Sequence, residues 1–375
     1  MKQLMRSLVP IFLAFVLSPT AWPAESPSDQ ALLPEPVAGA EAFTWEGPQI
    51  VRADRVGNIY FLRADTLEIY PLTQAGKLGE PVKLEVLGEA PQLVRDAALS
   101  PGGDEWLVSA DLVIRRYVGA KEKVMPALEW RASGIGFVRD QPVVSFLPLP
   151  VSWDQVYRER KGQIPRLMTF DGDRWNVLAE YPSPPAADLA DRRPDLNGAI
   201  SQHAVFVASD TQGRLWIARQ YAYDIEQLAT SGKQKLHLLV AGGKVTERKD
   251  DAETKDRPAG LSAFRSNAAI LDLVEGRDHR MYFLVAGGST TGGIALDRYD
   301  PVTSKLERIS LALQLPGRAT LASGKHGLYI AAWSERNGRW NLSWDTLELA
   351  DWKPVPNAQI TPAPVEDLPA TKSTH

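Results

Sequence analysis

Aromatic and arginine side chains cluster in one short segment of the chain. Four of them lie close together: Trp153, Tyr157, Arg158 and Arg160. Aromatic rings supply a large contact area, and guanidinium groups add charge and hydrogen bonds, so this combination suits recognition of a protein, peptide or glycan. We expect these residues, together with Tyr221 and Tyr223 further along the chain, to bind a partner. The alternative is that the rings pack loops onto the fold and the arginines are solvated.

His203 is the histidine best placed for chemistry, because it precedes an apolar strand at the inner edge of a repeat. It is a candidate ligand or base, against the alternative of a structural histidine with satisfied hydrogen bonds. The sequence contains no Gly-x-Ser-x-Gly nucleophile motif, no His-Glu-x-x-His zinc motif and no dinucleotide-binding fingerprint. We therefore assign no catalytic residue and no cofactor.

Composition limits the classes of partner. The chain has 375 residues, a formal net charge of −4 and no cysteine. Binding of nucleic acid needs a basic stripe or patch, so a weakly acidic chain without one argues against it. Without cysteine, no disulfide can staple the fold, and its stability must come from packing.

A six-residue spacing between a turn and an aromatic residue repeats along the chain. Five segments show it: Asp54 to Tyr60, Ser100 to Trp106, Asp210 to Trp216, Gly276 to Tyr282 and Ser323 to Tyr329. A sixth, degenerate copy spans Ile135 to Phe146. Short apolar strands separated by Gly and Asp turns at regular intervals are typical of all-β repeat folds. Each repeat therefore predicts one small antiparallel sheet.

Six four-stranded sheets repeated radially form a six-bladed β-propeller, which we predict for residues 43–353. The third strand of each blade is marked by a large apolar residue before a polar turn: Leu72, Tyr117, Phe170, Leu228, Tyr299 and Leu347. We expect Phe43-Thr44-Trp45 to supply the outer strand of the last blade and so close the ring.

The turn motif carries a family resemblance. The pattern Asp-x-x-Gly-x-(Leu/Ile)-(Tyr/Trp), at Asp54 to Tyr60 and again at Asp210 to Trp216, resembles the NHL-type repeat of six-bladed propellers. The resemblance covers residues 44–353. It implies blade architecture and says little about activity, because propellers host enzymes, binding proteins and scaffolds alike.

A second resemblance suggests an enzyme. Trp45-Glu46-Gly47-Pro48 resembles the Glu-Gly-Pro segment of the gluconolactonase and regucalcin family, in which that glutamate binds a divalent metal at the channel mouth. The resemblance implies Glu46 as a ligand of Ca²⁺ or another divalent metal that polarises a lactone carbonyl. The family's Pro-Asn-Gly signature is only partly present, as Asn197-Gly198 after Leu196, and no counterpart of its catalytic aspartate is evident.

Both ends of the chain differ in composition from the repeats. Residues 1–24 have the basic start, the apolar Leu8 to Leu17 and the small residues of a signal peptide, with cleavage expected after Ala24. Residues 25–42 indicate a linker, and residues 354–375 a disordered Pro-rich tail. We therefore expect a periplasmic or secreted monomer without a stable membrane span after cleavage.

The longest connections are predicted to share one face of the propeller. In an antiparallel blade with strands a to d from axis to rim, b–c and d–a connections leave from the same end. The long segments fall in those classes: 148–165 and 286–294 between strands b and c, and 181–202 and 241–267 between strands d and a. Long loops gathered on one side favour a functional surface.

Two main hypotheses follow. The favoured one is an exported, non-enzymatic propeller that binds a protein, peptide or glycan through its loop-bearing face. The alternative is a metal-dependent lactonase or esterase-like hydrolase with Glu46 as a metal ligand. A third hypothesis is that the propeller is only a scaffold within a larger envelope assembly.

Overall fold

The chain folds into six antiparallel sheets around a central axis, as seen in a computed structural model. This arrangement confirms the predicted all-β, six-bladed propeller. The structure describes residues 31–38, 49–74, 76–91, 94–110, 113–150, 164–181, 203–229, 231–240, 270–286, 293–314, 318–332 and 338–362. Within these ranges no helix has the length and apolar character needed to cross a bilayer.

The first three blades each consist of four consecutive strands. Blade 1 contains β2 (Gln49–Ala53), β3 (Ile59–Arg63), β4 (Glu68–Pro71) and β5 (Val82–Lys83). Blade 2 contains β6 (Val94–Leu99), β7 (Glu105–Ala110), β8 (Val113–Val118) and β9 (Lys121–Lys123). Blade 3 contains β10 (Trp130–Val138), β11 (Gln141–Pro150), β12 (Pro165–Phe170) and β13 (Trp175–Glu180).

The last three blades each include a strand from one end of the chain. Blade 4 contains β14 (Val205–Ser209), β15 (Leu215–Arg219), β16 (Asp224–Leu228), β17 (Gln234–Val240) and β26 (Ala358–Pro362). Blade 5 contains β18 (Ile270–Glu275), β19 (Met281–Ala286), β20 (Gly293–Asp300), β21 (Lys305–Gln314) and β25 (Lys353–Pro354). Blade 6 contains β22 (Ala319–Ser323), β23 (Gly327–Ala332), β24 (Arg339–Ser343) and β1 (Glu35–Pro36).

The outer strand of blade 6 is β1, from the N-terminal part of the chain. β1 pairs with β24 of blade 6, and the backbone N–H of Val37 donates to the carbonyl of Arg339 at 3.0 Å. The expected closing residues, 43–45, lie outside the described ranges. The linker prediction for residues 25–42 is wrong for the described residues 31–38, because Val37 is buried between blades 6 and 1 and Leu32 bonds to β21. The rest of that range lies outside the described residues.

The C-terminal segment is also ordered into the sheets. After β24, the short helix α1 (Trp344–Leu349) begins at Ser343, whose Oγ accepts from the backbone N–H of Thr346 at 3.1 Å. Leu347 therefore lies on a helix and not on the predicted third strand. Beyond it, β25 and β26 pair with the outer strands of blades 5 and 4. The disordered tail predicted to start at 354 is thus wrong as far as residue 362, because β26 satisfies the outer edge of β17.

Apolar layers between neighbouring blades form the core. The repeated aromatic of the second strand lies in these layers: Trp216 of blade 4 packs on Phe283 and Tyr299 of blade 5, with ring centroids 6.2 and 5.8 Å away. Tyr60 and Trp106 meet edge-on between blades 1 and 2. Each buried ring removes a large apolar area from water, so the six-residue spacing reports inter-blade packing.

An aspartate at the turn fixes this spacing. Asp210 accepts hydrogen bonds from the backbone N–H of Arg214 at 2.9 Å and from Nε1 of Trp216 at 3.0 Å. Asp54 accepts in the same way from the N–H of Asn58 at 2.8 Å. Gly57, with φ +82°, allows the chain to reverse in the turn between Asp54 and Asn58. The carboxylate therefore ties the turn to the buried aromatic residue that follows it.

The two faces of the ring differ. The turns joining first and second strands bond to their neighbours: Arg55 N–H to Pro101 O, Lys325 N–H to Gly57 O, and Thr211 N–H to Glu275 Oε2. We call this side the plain face. The strands that flank the four long connections end on the opposite side, which we call the loop-bearing face: β11 and β12, β13 and β14, β17 and β18, and β19 and β20. The four long connections therefore join the strands that the sequence predicts them to join.

Blade 3 is the least regular, and close packing explains why. A Cβ at Gly134 would lie 2.5 Å from the carbonyl oxygen of Val205, and one at Gly136 would lie 3.0 Å from that of Val207. The innermost strands β10 and β14 approach too closely for side chains at these two positions. Glycine spacing in this repeat therefore reflects contact with blade 4 and not a ligand-binding loop.

Ring closure generates the first prediction. Val37 is 4% exposed, whereas Leu33 on the same segment is 71% exposed. Val37→Ala is expected to lower the free energy of unfolding by about 1–2 kcal/mol, because it removes buried methyl groups from the closing seam. Leu33→Ala should change it by less than about 0.5 kcal/mol. Urea unfolding followed by tryptophan fluorescence measures both; equal losses would contradict the proposed seam.

Candidate functional site

A single arginine links inner strands across the propeller axis. Arg52 on β2 of blade 1 donates from Nη2 to Asp96 of blade 2 and from Nη1 to Asp272 of blade 5, each at 2.8 Å. Its Nε donates to the carbonyl of Ala97 at 2.5 Å. Blades 2 and 5 stand opposite each other in the ring, so one guanidinium group spans the channel.

The two carboxylates are also held by backbone amides. Asp96 accepts from the N–H of Ala97 at 2.9 Å, and Asp272 accepts from the N–H groups of Leu273 and Leu321 at 2.9 and 2.8 Å. Burial raises the pKa of Asp272, against the effect of Arg52. Burial also acts to lower the pKa of Arg52, but the carboxylates outweigh it and the pKa is raised. Arg52 therefore stays charged.

Cationic and aromatic side chains surround the channel on the loop-bearing side of this network. Arg318 immediately precedes the inner strand of blade 6, and its guanidinium carbon lies 5.4 Å from the ring centroid of Phe206 in blade 4. Its Nη2 is 3.8 Å from Asp96 Oδ1, a longer ion pair than those of Arg52. Tyr221, between β15 and β16, feels the positive charges of Arg318 and Arg95; burial raises the pKa of its hydroxyl against them. We call this region the channel mouth.

Gln49 adds an unsatisfied amide at the same level. It is 2% exposed, and neither its Oε1 nor its Nε2 has a hydrogen-bond partner within the described chain. Val51 N–H donates to Thr320 Oγ1 at 2.9 Å, so Gln49 and Arg318, each two residues earlier, stand level on neighbouring inner strands. Gln49 shares the side of β2 that carries Val51, which packs on blade 6.

The channel mouth has the chemistry of an anion site. The guanidinium groups of Arg52 and Arg318 both pair with Asp96, and Arg52 also pairs with Asp272. The positive charge of Arg95 acts on Tyr221 beside them. Guanidinium groups present donors in a planar fork that matches carboxylate oxygens, and a tyrosine hydroxyl and an amide add further hydrogen bonds. Within the described ranges, no cluster of three or more metal-ligating His, Asp or Glu side chains occurs.

His203 belongs to a separate polar cluster between blades 3 and 4. Its ring meets that of Tyr181 edge-on at 5.2 Å. Nearby, Arg166 makes a two-pronged ion pair with Glu226 at 2.8 and 2.9 Å, and Arg219 pairs with Asp224 at 3.1 Å. Burial, and then the charges of Arg219 and Arg166, lower the pKa of His203 to about 4. The imidazole is therefore neutral at pH 7.

The structure separates the two predicted tyrosines. Tyr221 is half-buried at the channel mouth, where the charges of Arg318 and Arg95 act on it. Tyr223 is fully buried between blades 4 and 5, and its hydroxyl donates to Asp297 at 2.7 Å. Asp297 also forms a buried ion pair with Arg308 at 2.6 Å. Tyr223 consequently supports the core and does not present its ring to a partner.

The remaining predicted site residues lie outside the described ranges. They are Trp153, Tyr157, Arg158 and Arg160 between β11 and β12, and Glu46 before β2. The flanking strand ends, Pro150 and Pro165, belong to the loop-bearing face. The recognition role of the first four residues and the metal-binding role of Glu46 stay predictions.

Sequence reasoning missed the residues of the channel. Arg52, Arg95, Asp96 and Asp272 are charged residues inside otherwise apolar first strands, as in Val-Arg-Asp-Ala-Ala-Leu and Ile-Leu-Asp-Leu-Val-Glu. A charge at an interior strand position is costly unless it is paired, which is a signal that could have identified them. Arg318 and Gln49 carry no such signal, because each lies at the edge of its strand.

Comparison with known proteins adds no functional assignment. No protein-family model and no curated protein matches the sequence. A member of the DUF4221 family from Bacteroides vulgatus is 10% identical over 88% of this chain and 97% of its own, with a TM-score of 0.46. A streptogramin B lyase is 13% identical over 80% of this chain and 85% of its own, with a TM-score of 0.44. Similarities at this level carry no argument about what this chain does.

The environment of His203 predicts a pH effect on stability. Between its ordinary pKa of 6.5 and the lowered value of about 4, the unfolded chain binds a proton that the folded chain does not. Acidification through that window therefore destabilises the folded protein, and stability is regained as pH rises. His203→Asn removes the titrating imidazole. The free energy of unfolding of wild type, relative to that of the variant, should therefore fall as the pH decreases from 6.5 to 4.

Thermal unfolding midpoints measured across this pH range test the prediction. The exposed His326, on the plain face, provides the matched control as His326→Asn. We expect its curve to run closer to parallel with that of wild type. Parallel curves for wild type and His203→Asn would contradict a buried, neutral imidazole.

Proposed function

We propose that this propeller is a binding protein and that its ligand reaches it on the loop-bearing face. The carrying observation is the channel mouth, where Arg95, Arg318 and Tyr221 meet on one side of the Arg52 network. On the plain face, by contrast, the polar groups of neighbouring turns form hydrogen bonds with one another. A surface that offers cationic and aromatic groups suits a protein, peptide or glycan ligand.

The long connections fit the same role. The segment with Trp153, Tyr157, Arg158 and Arg160 starts and ends on the loop-bearing face, so we assign these residues to the rim of the binding surface. Positioning variable loops on a rigid sheet scaffold is a common way to build recognition sites. Tyr221 is the described member of this surface, and we place His203 at its border, beside Tyr181.

We further infer that the blades are NHL-type repeats. Support comes from Asp54 and Asp210, each of which accepts from the backbone N–H four residues later and so holds the turn of the motif. The composition of residues 1–24 supports export to the periplasm or the cell exterior. We propose that the exported protein is a monomer.

The hydrolase alternative rests on the Glu-Gly-Pro resemblance alone. It requires Glu46 to converge with other oxygen ligands on a divalent metal. Glu46 lies outside the described ranges, and both described aspartates of the channel are paired with Arg52, a poor neighbour for a cation. We therefore propose binding, without catalysis, as the function.

Site-specific photo-crosslinking in the native host tests which face is used. Val113, 55% exposed, lies at the start of β8 on the loop-bearing face; Val56, 64% exposed, lies in a turn of the plain face. A photoreactive phenylalanine analogue at position 113 is expected to give adducts of defined mass, because the ligand approaches from that side. The same analogue at position 56 should give none.

The two positions have similar exposure, so unspecific collisions affect them equally. Adducts formed only from position 56, or equally from both, would contradict the proposed face. Competition by excess unlabelled protein separates a saturable partner from random capture.

A further inference from the structure

We propose that the channel mouth binds a monoanionic carboxylate, with Arg318 as its principal cationic contact and the amide of Gln49 as a further hydrogen-bonding group. This inference rests on the proposed function and specifies the chemical group that the binding surface recognises. It follows from three features of the mouth: the hydrogen bonds that its carboxylates already accept, the proximity of Asp96 to Arg318, and its unsatisfied amide.

The carboxylates of the channel already accept hydrogen bonds from Arg52. Asp96 and Asp272 each accept from its guanidinium at 2.8 Å, and both also accept from backbone N–H groups. Arg318 is left with a 3.8 Å approach to Asp96, beyond hydrogen-bond length, and with the face of Phe206. Its side chain is 25% exposed, so its fork of donors is accessible from the loop-bearing side.

The proximity of Asp96 favours a monoanion. Arg318 Nη2 lies 3.8 Å from Asp96 Oδ1, so an anion bound to Arg318 lies close to a carboxylate. A ligand carboxylate brings one negative charge to that position, whereas a phosphate dianion brings two. Two negative charges that lie close together repel each other strongly when both are partly buried. Carboxylates should therefore bind more tightly than phosphate.

Gln49 is explained by the same ligand. Burying an amide without a hydrogen-bond partner costs free energy, and a folded protein rarely leaves both of its polar atoms unpaired. The side chain stands level with Arg318, between blades 1 and 6. A ligand at the mouth that carries both donors and acceptors, such as the end of a peptide or a sugar acid, would satisfy it.

Calorimetric titration with two small acids and their uncharged partners tests the proposal. The probes are N-acetylphenylalanine against its amide, and glucuronate against glucose, with inorganic phosphate as the dianion. At least one acid is expected to bind saturably at millimolar concentration, and its uncharged partner at least about tenfold more weakly. Which acid binds distinguishes a peptide end from a sugar acid as the source of the carboxylate.

Variants locate the binding. Arg318→Met should weaken acid binding at least about tenfold, because a charge-assisted hydrogen bond is lost. Arg318→Lys keeps the charge and should restore part of it. Arg55→Met, at an exposed position on the plain face, should leave affinity unchanged. Gln49→Leu should weaken binding without lowering the thermal unfolding midpoint, because the amide has no partner within the described chain to lose.

Three outcomes would overturn the proposal. They are failure of both acids to bind, equal binding by Arg318→Met and wild type, or tighter binding of phosphate than of carboxylate. These are distinguishable from failure of the proposed function itself. Crosslinks from position 113 without acid binding would leave the loop-bearing face intact and remove only the carboxylate.

Discussion

The desolvated guanidinium of Arg52 is the interaction on which the centre of the molecule depends. A charge placed inside a ring of apolar strands is tolerated only where its donors are satisfied, and Arg52 satisfies them on blades 1, 2 and 5. Removing it would leave Asp96 and Asp272 without the guanidinium group that bridges them. The inner strands are thus held in one relative arrangement by polar contacts, while the apolar layers outside them supply most of the burial energy.

The two faces of the ring differ around this network. On the plain face, short turns bond to each other and complete the ring. The Arg52 network crosses the channel, and Arg318, Tyr221 and Gln49 lie on its loop-bearing side. The strands that flank the four long connections end on the same side. The proposed recognition surface is therefore built on inner strands that are held together by paired charges.

Much of the fold could be predicted from the sequence because local chemistry and packing agree. Asp210 fixes a turn and also anchors Trp216 in the core, so one spacing reports both effects. The predictions of a linker and of a disordered tail are wrong near the two ends of the propeller because composition and packing disagree there. Proline-rich composition around residues 34 and 362 suggests an unstructured chain, but outer strands of blades have one free edge and accept such segments.

The candidate site was less predictable, since its residues come together only through ring closure. Arg52, Asp96 and Asp272 are separated by 44 and 220 positions in the chain, and no local pattern links them. Tyr221 and Tyr223 have nearly the same sequence context, yet the turn between β15 and β16 places one at the mouth and the other in the core. The direction in which each of these side chains points depends on how blade 4 packs against blade 5, and this packing cannot be read from the sequence.

Hydrogen exchange of backbone amides in Arg52→Met, compared with Arg55→Met, tests this account most directly. Loss of the guanidinium should speed exchange in β6 and β18, on opposite sides of the ring, because both strands carry carboxylates bonded to Arg52 and to their own amides. Arg55→Met should leave these strands protected. Faster exchange confined to blade 1, or no difference between the two variants, would contradict a cross-linked channel.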